Sequence, residues 1–367
     1  MSPAEGGLAA LQFPHAEAPP GGTTIEVAPG VRWLRMPLPF ALNHINLWLI
    51  EDDAGWAIVD TGINSNETKA LWERLFVEAL DRRPVTRLIC THYHPDHIGL
   101  AGWLTARLGI ELWITETEWR FGYERSRATR QGIHPATAEM YRRVGMSGDE
   151  LMQVGIARSG HYISRVAPVP ERHRRLADGM AIEIGGRSWR IVVGRGHAPE
   201  HACLYCRELN LLIAGDQVLP KISPNVSFWP QDQDPDPLGS FLASLDKLQQ
   251  AVPESALVLP SHNLPFYGLH TRIEQLRALH RSRLAEIAAA CDQPRSTAEL
   301  VPVLFSRALD RHQLGFAVGE TLAHLIHATT TGRLRRAARA DGVWTFQTTT
   351  RHDAAAGTQR SARLPGK

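Results

Sequence analysis

The residues best suited to chemistry cluster in Cys90-Thr91-His92-Tyr93-His94-Pro95-Asp96-His97-Ile98-Gly99, where His92, His94, Asp96 and His97 fall within six positions. Three imidazoles and one carboxylate form a donor set for zinc or a similar borderline divalent ion. A polar turn with incidental histidines is the plain alternative. It loses force because further His and Asp residues follow, in order, later in the chain.

Such a loop needs a rigid support. Residues 86–90 read as a buried strand leading into it, and residues 100–108 as a helix leaving it, stopped by Gly109. Upstream, strands are expected at 24–27 and 31–36 around a Pro29-Gly30 turn, then at 46–50 and 56–60. Residues 67–80 carry Leu71, Leu75 and Ala79 on one helical stripe. A further strand is expected at 111–115. Downstream, strands at 181–184 and 188–193 meet at Gly185-Gly186, and strands at 211–216 and 256–260 end in Asp216 and at Ser261-His262. Residues 235–248 and 272–290 read as helices. Strands alternating with helices predict an α/β sandwich with helices outside the sheets.

This ordered set resembles the metallo-β-lactamase-fold superfamily on its hydrolytic, binuclear branch, over roughly residues 30–285. The resemblance implies an αββα sandwich. It implies a first metal held by His92, His94 and His197, a second by Asp96, His97 and His262, and Asp216 bridging them. It also places Asp60, in Asp60-Thr61-Gly62, beneath the metals as a hydrogen-bonding support, and makes His201 structural rather than a ligand. The metals are expected to be two zinc ions, with iron and manganese as alternatives. Between ions about 3.5–4 Å apart, a water loses its proton near neutral pH and becomes the nucleophile, with Asp96 both ligating and orienting it. His94, where the oxygen-reducing branch has Glu, favours hydrolysis, and Asp216 argues against a true β-lactamase. The loop Gly196-His197-Ala198-Pro199-Glu200-His201 departs from the family's pattern at Ala198 and Glu200, as Ser261 does from the usual glycine. These departures leave the subfamily open and put a carboxylate near the expected pocket. A serine-hydrolase reading finds no Gly-x-Ser-x-Gly elbow.

Composition excludes several other classes. With 367 residues, 43% hydrophobic and 21% charged, the chain suits a globular enzyme with one large core and a small extra domain. A net charge of +2 does not argue for a nucleic-acid partner. No apolar run of about 18 residues predicts a membrane span, and the N-terminus lacks a secretory signal pattern. Four cysteines make no disulfide framework. Cys203 and Cys206 have redox-motif spacing, but in an expected strand they face opposite sides, so buried thiols in a cytoplasmic protein are expected.

The expected organisation is a loose arm at 1–23, the metallo-β-lactamase-fold domain at 24–290, a winged-helix-like domain at 291–349 and a disordered tail at 350–367. Residues 117–168 interrupt the strand pattern and are expected to form a helical cap that shapes the substrate pocket. Arg120, Tyr123 and Tyr141 in the cap, with Lys221 and Asn225 after Asp216, are the candidate substrate contacts. A solvated helix face explains the arginines equally well. The C-terminal domain is expected from the capping box Ser296-Thr297-Ala298-Glu299, the stripe Val318, Leu322, Leu325, Ile326 and a hairpin at 333–346. Its arginines suit nucleic acid; a packing or homodimerisation module is the reading preferred. The expected substrate is a small-molecule thioester or ester on an anionic carrier. The alternatives are a phosphodiester or RNA substrate, and a metal-sensing nucleic-acid-binding regulator.

Overall fold

The computed structural model describes residues 10–40, 42–128, 134–148, 162–232 and 234–349. It divides into two compact units. The first comprises Met1–Gln131, Arg158–Pro224 and Ser240–Arg277, and the second Gly132–Ala157, Asn225–Gly239 and Ala278–Lys367.

In the first unit, seven strands lie side by side in chain order: β1 (Ile25–Ala28), β2 (Val31–Pro37), β3 (His44–Asp52), β4 (Gly55–Val59), β5 (Val85–Ile89), β6 (Leu112–Thr115) and β7 (Arg174–Leu176). β1 to β4 pair antiparallel, and β4 to β7 pair parallel. Parallel neighbours need crossovers. α1 (Asn66–Glu78) joins β4 to β5, and the single-turn α2 (Pro95–Ile98) with α3 (Ala101–Leu108) joins β5 to β6. Ser65 caps α1 by accepting the Thr68 N–H at 3.0 Å. α4 (Glu116–Ser126) opens the connection from β6 to β7, and α5 (Pro135–Arg143) lies in the same connection.

The second sheet runs β12-β11-β10-β9-β8, from β8 (Ala181–Ile184), β9 (Arg187–Gly194), β10 (His201–Cys206), β11 (Leu211–Gly215) and β12 (Leu257–Pro260). Side-chain alternation divides the core in two. Trp33, Trp48, Ile50 and Val59 face inward with Trp189, Ile191, Leu204 and Ile213 of the second sheet. Leu34, Met36, Leu47 and Leu49 face the other way with Trp72, Leu75, Leu104 and Phe121 of the helices. α6 (Pro237–Ala251) bonds to the end of β9, where Lys247 Nζ donates to the Val193 carbonyl at 2.8 Å and the Arg195 N–H to Ser244 Oγ at 2.8 Å. α7 (Leu269–Ala290) follows, and its Arg272 donates to the carbonyls of Leu219 and Ile222. This is the mixed α/β sandwich expected. All four cysteines are free and buried.

The second unit holds α5, the end of α7, α8 (Thr297–Leu304), α9 (Arg311–Thr330) and a sheet ordered β13-β15-β14, from β13 (Arg295–Ser296), β14 (Leu334–Ala338) and β15 (Trp344–Thr348). Ser296 with Glu299, and Asp310 with Gln313, form reciprocal capping boxes on α8 and α9. α8 carries Pro302 without ending there.

The two compact units do not follow chain order. Of the expected cap, α4 belongs to the first unit and α5 to the second. The stretch 225–239 also joins the second unit. Within the expected loose arm, Gln12 pairs antiparallel with Tyr267, exchanging two main-chain hydrogen bonds. The expected tail at 350–367 lies outside the described residues. Among those described, no helix is long and apolar enough to cross a membrane.

Candidate metal centre

The ends of five strands of the first unit deliver the polar residues. β4 runs into Asp60, β5 into His92–His97, β9 into His197, β11 into Asp216 and β12 into His262. Pro95 at the first helical position lets α2 start directly after His94, which presents Asp96 and His97 from its single turn.

Two groups of ligand atoms result: His92, His94, His197 and Asp216, and Asp96, His97 and His262. In the first, His92 Nε2 lies 2.9 Å from His94 Nδ1 and 3.3 Å from His197 Nε2, and His197 Nε2 lies 3.4 Å from Asp216 Oδ2. In the second, Asp96 Oδ2 is 3.5 Å from His262 Nε2 and 3.7 Å from His97 Nε2. Asp216 reaches this group too, with Oδ1 3.4 Å from His262 Nε2 and Oδ2 3.5 Å from His97 Nε2. Tetrahedral ligands at zinc-like bond lengths stand about 3.3 Å apart, so both spacings fit a divalent ion. His97 Nε2 and Asp216 Oδ1 are buried and take no hydrogen bond, as atoms aimed at an ion would be.

Neighbouring residues orient these ligands. Asp60, in the left-handed region at φ 64°, accepts from His97 Nδ1 at 2.8 Å, from the Thr91 N–H at 2.8 Å and from the Thr91 hydroxyl. A proton on Nδ1 leaves His97 Nε2 as the free lone pair. His262 Nδ1 likewise donates to the His44 carbonyl at 2.8 Å. Buried Asn46 donates to the carbonyls of Pro260 and Asn263 and clamps the loop that carries His262. His201 sits behind Asp216, whose N–H donates to His201 Nε2 at 3.0 Å. Gly215 makes that approach feasible: a Cβ there would stand 2.4 Å from His201 Nε2, and φ is 53°.

Burial and the neighbouring imidazoles push His92 and His94 well below the usual histidine range, and His201 down to about 3. Burial opposes charge on His262 too, but Asp216 and Asp96 hold it up at about 10. His97 is raised against burial by Asp60, Asp96 and Asp216. Burial also opposes ionisation of the carboxylates, yet His97 and His262 hold Asp96 down to about 2 and Asp216 well below the usual range. Without an ion the carboxylates attract protons onto two of the imidazoles. A divalent cation held by the same atoms would displace those protons.

The other candidates separate. Arg120 is exposed, with its guanidinium over Phe121, and Tyr123 packs on Trp119 beneath Arg127. Lys221 is exposed. None of these three makes a hydrogen bond or ring contact with the seven ligands. Tyr141 is fully buried in the second unit, where Asn225 bonds to Glu320 and Ser227. The Glu200 carboxylate, expected near the pocket, instead accepts the Thr117 N–H at 3.0 Å at the start of α4. Ala198 packs in the helix-side core. Ser261 is fully buried, and its N–H donates to the Gly215 carbonyl. Thr91, His44 and Asn46 had no signal in the sequence beyond polarity inside strand-rich stretches. Arg165 was also passed over in the sequence: its guanidinium lies 4.1 Å over Phe40, and burial lowers its pKa, partly offset by Asp96.

Comparison with known proteins agrees with this geometry. The family profile described as Metallo-beta-lactamase superfamily matches residues 42–262, and that described as Metallo-beta-lactamase-like, C-terminal domain matches residues 284–349. The solved structure of a beta-lactamase domain protein from Burkholderia ambifaria is 44% identical, with a TM-score of 0.83 over 92% of this chain and 98% of that one. A probable metallo-hydrolase of Bacillus subtilis (strain 168), YqjP, is 24% identical over 302 residues, 80% of this chain and 90% of that protein. Atrochrysone carboxyl ACP thioesterase AgnL7 of Paecilomyces divaricatus is 27% identical over 146 residues, 37% of this chain and 43% of that protein. With the sandwich, the strand-end ligands and the profile match all in one place, the chain belongs to the metallo-β-lactamase superfamily and carries the His/Asp cluster of a metallo-hydrolase.

Proposed function

We propose that the protein is a binuclear metal-dependent hydrolase, with a thioester or related ester on an anionic carrier as substrate. The observation that carries the binuclear reading is the placement of Asp216 between the two groups, 3.4 Å from His197 Nε2 through one oxygen and 3.4 Å from His262 Nε2 through the other. His92, His94 and His197 would hold one ion, Asp96, His97 and His262 the other, and Asp216 both; zinc suits the donors, and iron and manganese are the alternatives. When bound, such ions supply Lewis acidity toward an acyl oxygen and lower the pKa of water.

The chain's own groups do the rest. The Asp96 side chain is 20% exposed against 9% for Asp216, so it faces the approach to the site. Its free oxygen can orient an attacking water and take its proton. Asp60 and the His44 carbonyl take the Nδ1 protons of His97 and His262, and the Thr91 hydroxyl lies 3.0 Å from His92 Nδ1. Arg165, which feels the Asp96 charge, is the cation we assign to a phosphate or carboxylate on the carrier. A thiol leaves as a thiolate without much protonation, which lowers the demand on a general acid. The thioesterase name of the Paecilomyces relative supports the same substrate class.

The C-terminal order of helix end, β13, α8, α9, β14, β15 suits a winged-helix-like module. α9, the helix that would enter a groove, is buried on all sides from Ala317 to Ile326. That favours a packing role over nucleic-acid reading. Side-by-side assay of the metal-loaded protein on an acyl-CoA or acyl-glutathione thioester and on single-stranded RNA tests the substrate. Turnover of the thioester alone is expected; turnover of RNA alone contradicts the reading.

A further inference from the structure

Glu118 lies in the first turn of α4 and is fully buried. A buried carboxylate in an otherwise polar helical stretch needs strong partners. Two of its partners are main-chain donors. The Tyr93 N–H donates to Oε2 at 3.0 Å, and the Glu200 N–H donates to Oε1 at 2.6 Å.

The identity of these donors matters. Tyr93 stands between His92 and His94, and Glu200 lies in the short loop between His197 and His201. One side chain therefore ties together the two loops that supply all three imidazoles of the first ligand group. The tie is reciprocal. The Glu200 side chain returns to the start of α4 by accepting the Thr117 N–H at 3.0 Å, and the Thr115 hydroxyl donates to the Glu200 carbonyl at 2.7 Å. The second ligand group has its own supports, Asp60 and the His44 carbonyl. The Glu118 bonds fall directly beside first-group ligands, at Tyr93 between His92 and His94 and at Glu200 after His197, although the first of these loops runs on to Asp96 and His97 of the second group.

We propose that Glu118 is a positioning residue that sets the spacing of His92 and His94 against His197, and so controls metal affinity at the first position selectively. The proposal rests on the binuclear reading above. The glutamate at 200 has a place in the same device: it closes the brace from the opposite loop.

The test uses Co2+ as the probe, with binding followed by the visible absorption of the cobalt-loaded full-length protein and by competition with a chelator. Wild type is expected to bind two Co2+. Glu118→Gln keeps one acceptor but turns an amide N–H toward a main-chain N–H. It is expected to weaken one of the two binding steps about 10–100-fold, as removal of an orienting partner does, to alter that step's absorption band, and to leave the other step within about 2-fold. Glu118→Ala is expected to show the larger effect and Glu118→Gln the smaller. Glu200→Ala keeps the N–H that reaches Glu118 and loses the return bond to Thr117 together with the half-exposed Arg195 contact at 3.4 Å, and is expected to shift the same step in the same direction by less. Wild-type affinities and spectra for both steps in Glu118→Gln and Glu200→Ala, with only the melting temperature lowered, would overturn the proposal. Equal weakening of both steps would overturn its selectivity. Failure of the wild type itself to take up a second Co2+ would instead overturn the binuclear reading.

Discussion

The main-chain N–H of Asp216 donates to Nε2 of His201 at 3.0 Å. This bond fixes the backbone from which the carboxylate reaches both ligand groups. It also requires neutral His201, which burial and His197 ensure by pushing it down to about 3. Replacing His201 with Leu leaves a buried N–H unpaired and lets Asp216 drift. Metal affinity is expected to fall about 10–100-fold, with hydrolysis falling alongside. His201→Gln, which restores an acceptor, is expected to recover part of the loss. Chelator competition and turnover measured on the same samples check both.

Asp60 offers a test that leaves the backbone alone. It occupies the left-handed region at φ 64°, where Asn is as comfortable as Asp. Asp60→Asn therefore folds, but it removes the charge that holds His97 Nδ1–H at 2.8 Å. Loss of metal at the Asp96, His97 and His262 group, with at least a 10-fold drop in kcat, is the expected outcome, read by metal content and steady-state kinetics. Unchanged content and rate would remove Asp60 from the account.

Arg165 lies over Phe40, near Asp96. If it receives the anionic end of the carrier, Arg165→Ala raises KM for an acyl-CoA or acyl-glutathione by about 10-fold and leaves kcat nearly unchanged. A short uncharged thioester should lose nothing. Equal losses on charged and uncharged substrates would assign Arg165 a structural role.

Two histidines of the second unit predict an acid-sensitive stability. His280 and His324 are fully buried, with Nδ1 of one 3.1 Å from Nε2 of the other. Burial, His324 and Arg283 push His280 down to about 3; burial, opposed by the Glu320 carbonyl, leaves His324 at about 4. Both lie below the unfolded value of about 6.5. The unfolded chain then binds more protons, so their contribution is complete above about pH 6.5 and is lost as pH falls toward 4 and then 3. Each group changes stability by up to about 1.4 kcal/mol per pH unit in that window. Urea unfolding at pH 7 and pH 5 should show a steeper loss in the wild type than in His280→Leu/His324→Leu; equal slopes would contradict this.

The residues that gather in the two candidate ligand groups were legible because their chemistry leaves few alternatives and because each sits at the end of an apolar strand that announces itself. His92, His94, Asp96 and His97 share one loop, and His197, Asp216 and His262 each follow a run of buried residues. Asp60 and His201 came with the family resemblance, but the other supports were not legible. Asn46 bonds to carbonyls more than 200 positions away, and Glu118 looked like one more charge in a solvated helix. Both roles depend on contacts made only after the sheets pair. β7 and β13, three and two residues long, are too short for alternation to show. The grouping of α5 with the C-terminal helices is likewise a matter of long-range packing that no local pattern encodes.

The central claim is that Asp216 serves two metals at once. The most direct measurement is the zinc content, by plasma mass spectrometry, of wild type and Asp216→Ala after loading and dialysis, with thioester turnover recorded on the same samples. The account predicts two zinc ions per wild-type chain, one or none in the variant, and at least a 100-fold loss of turnover. Two zinc ions and undiminished turnover in Asp216→Ala would contradict it.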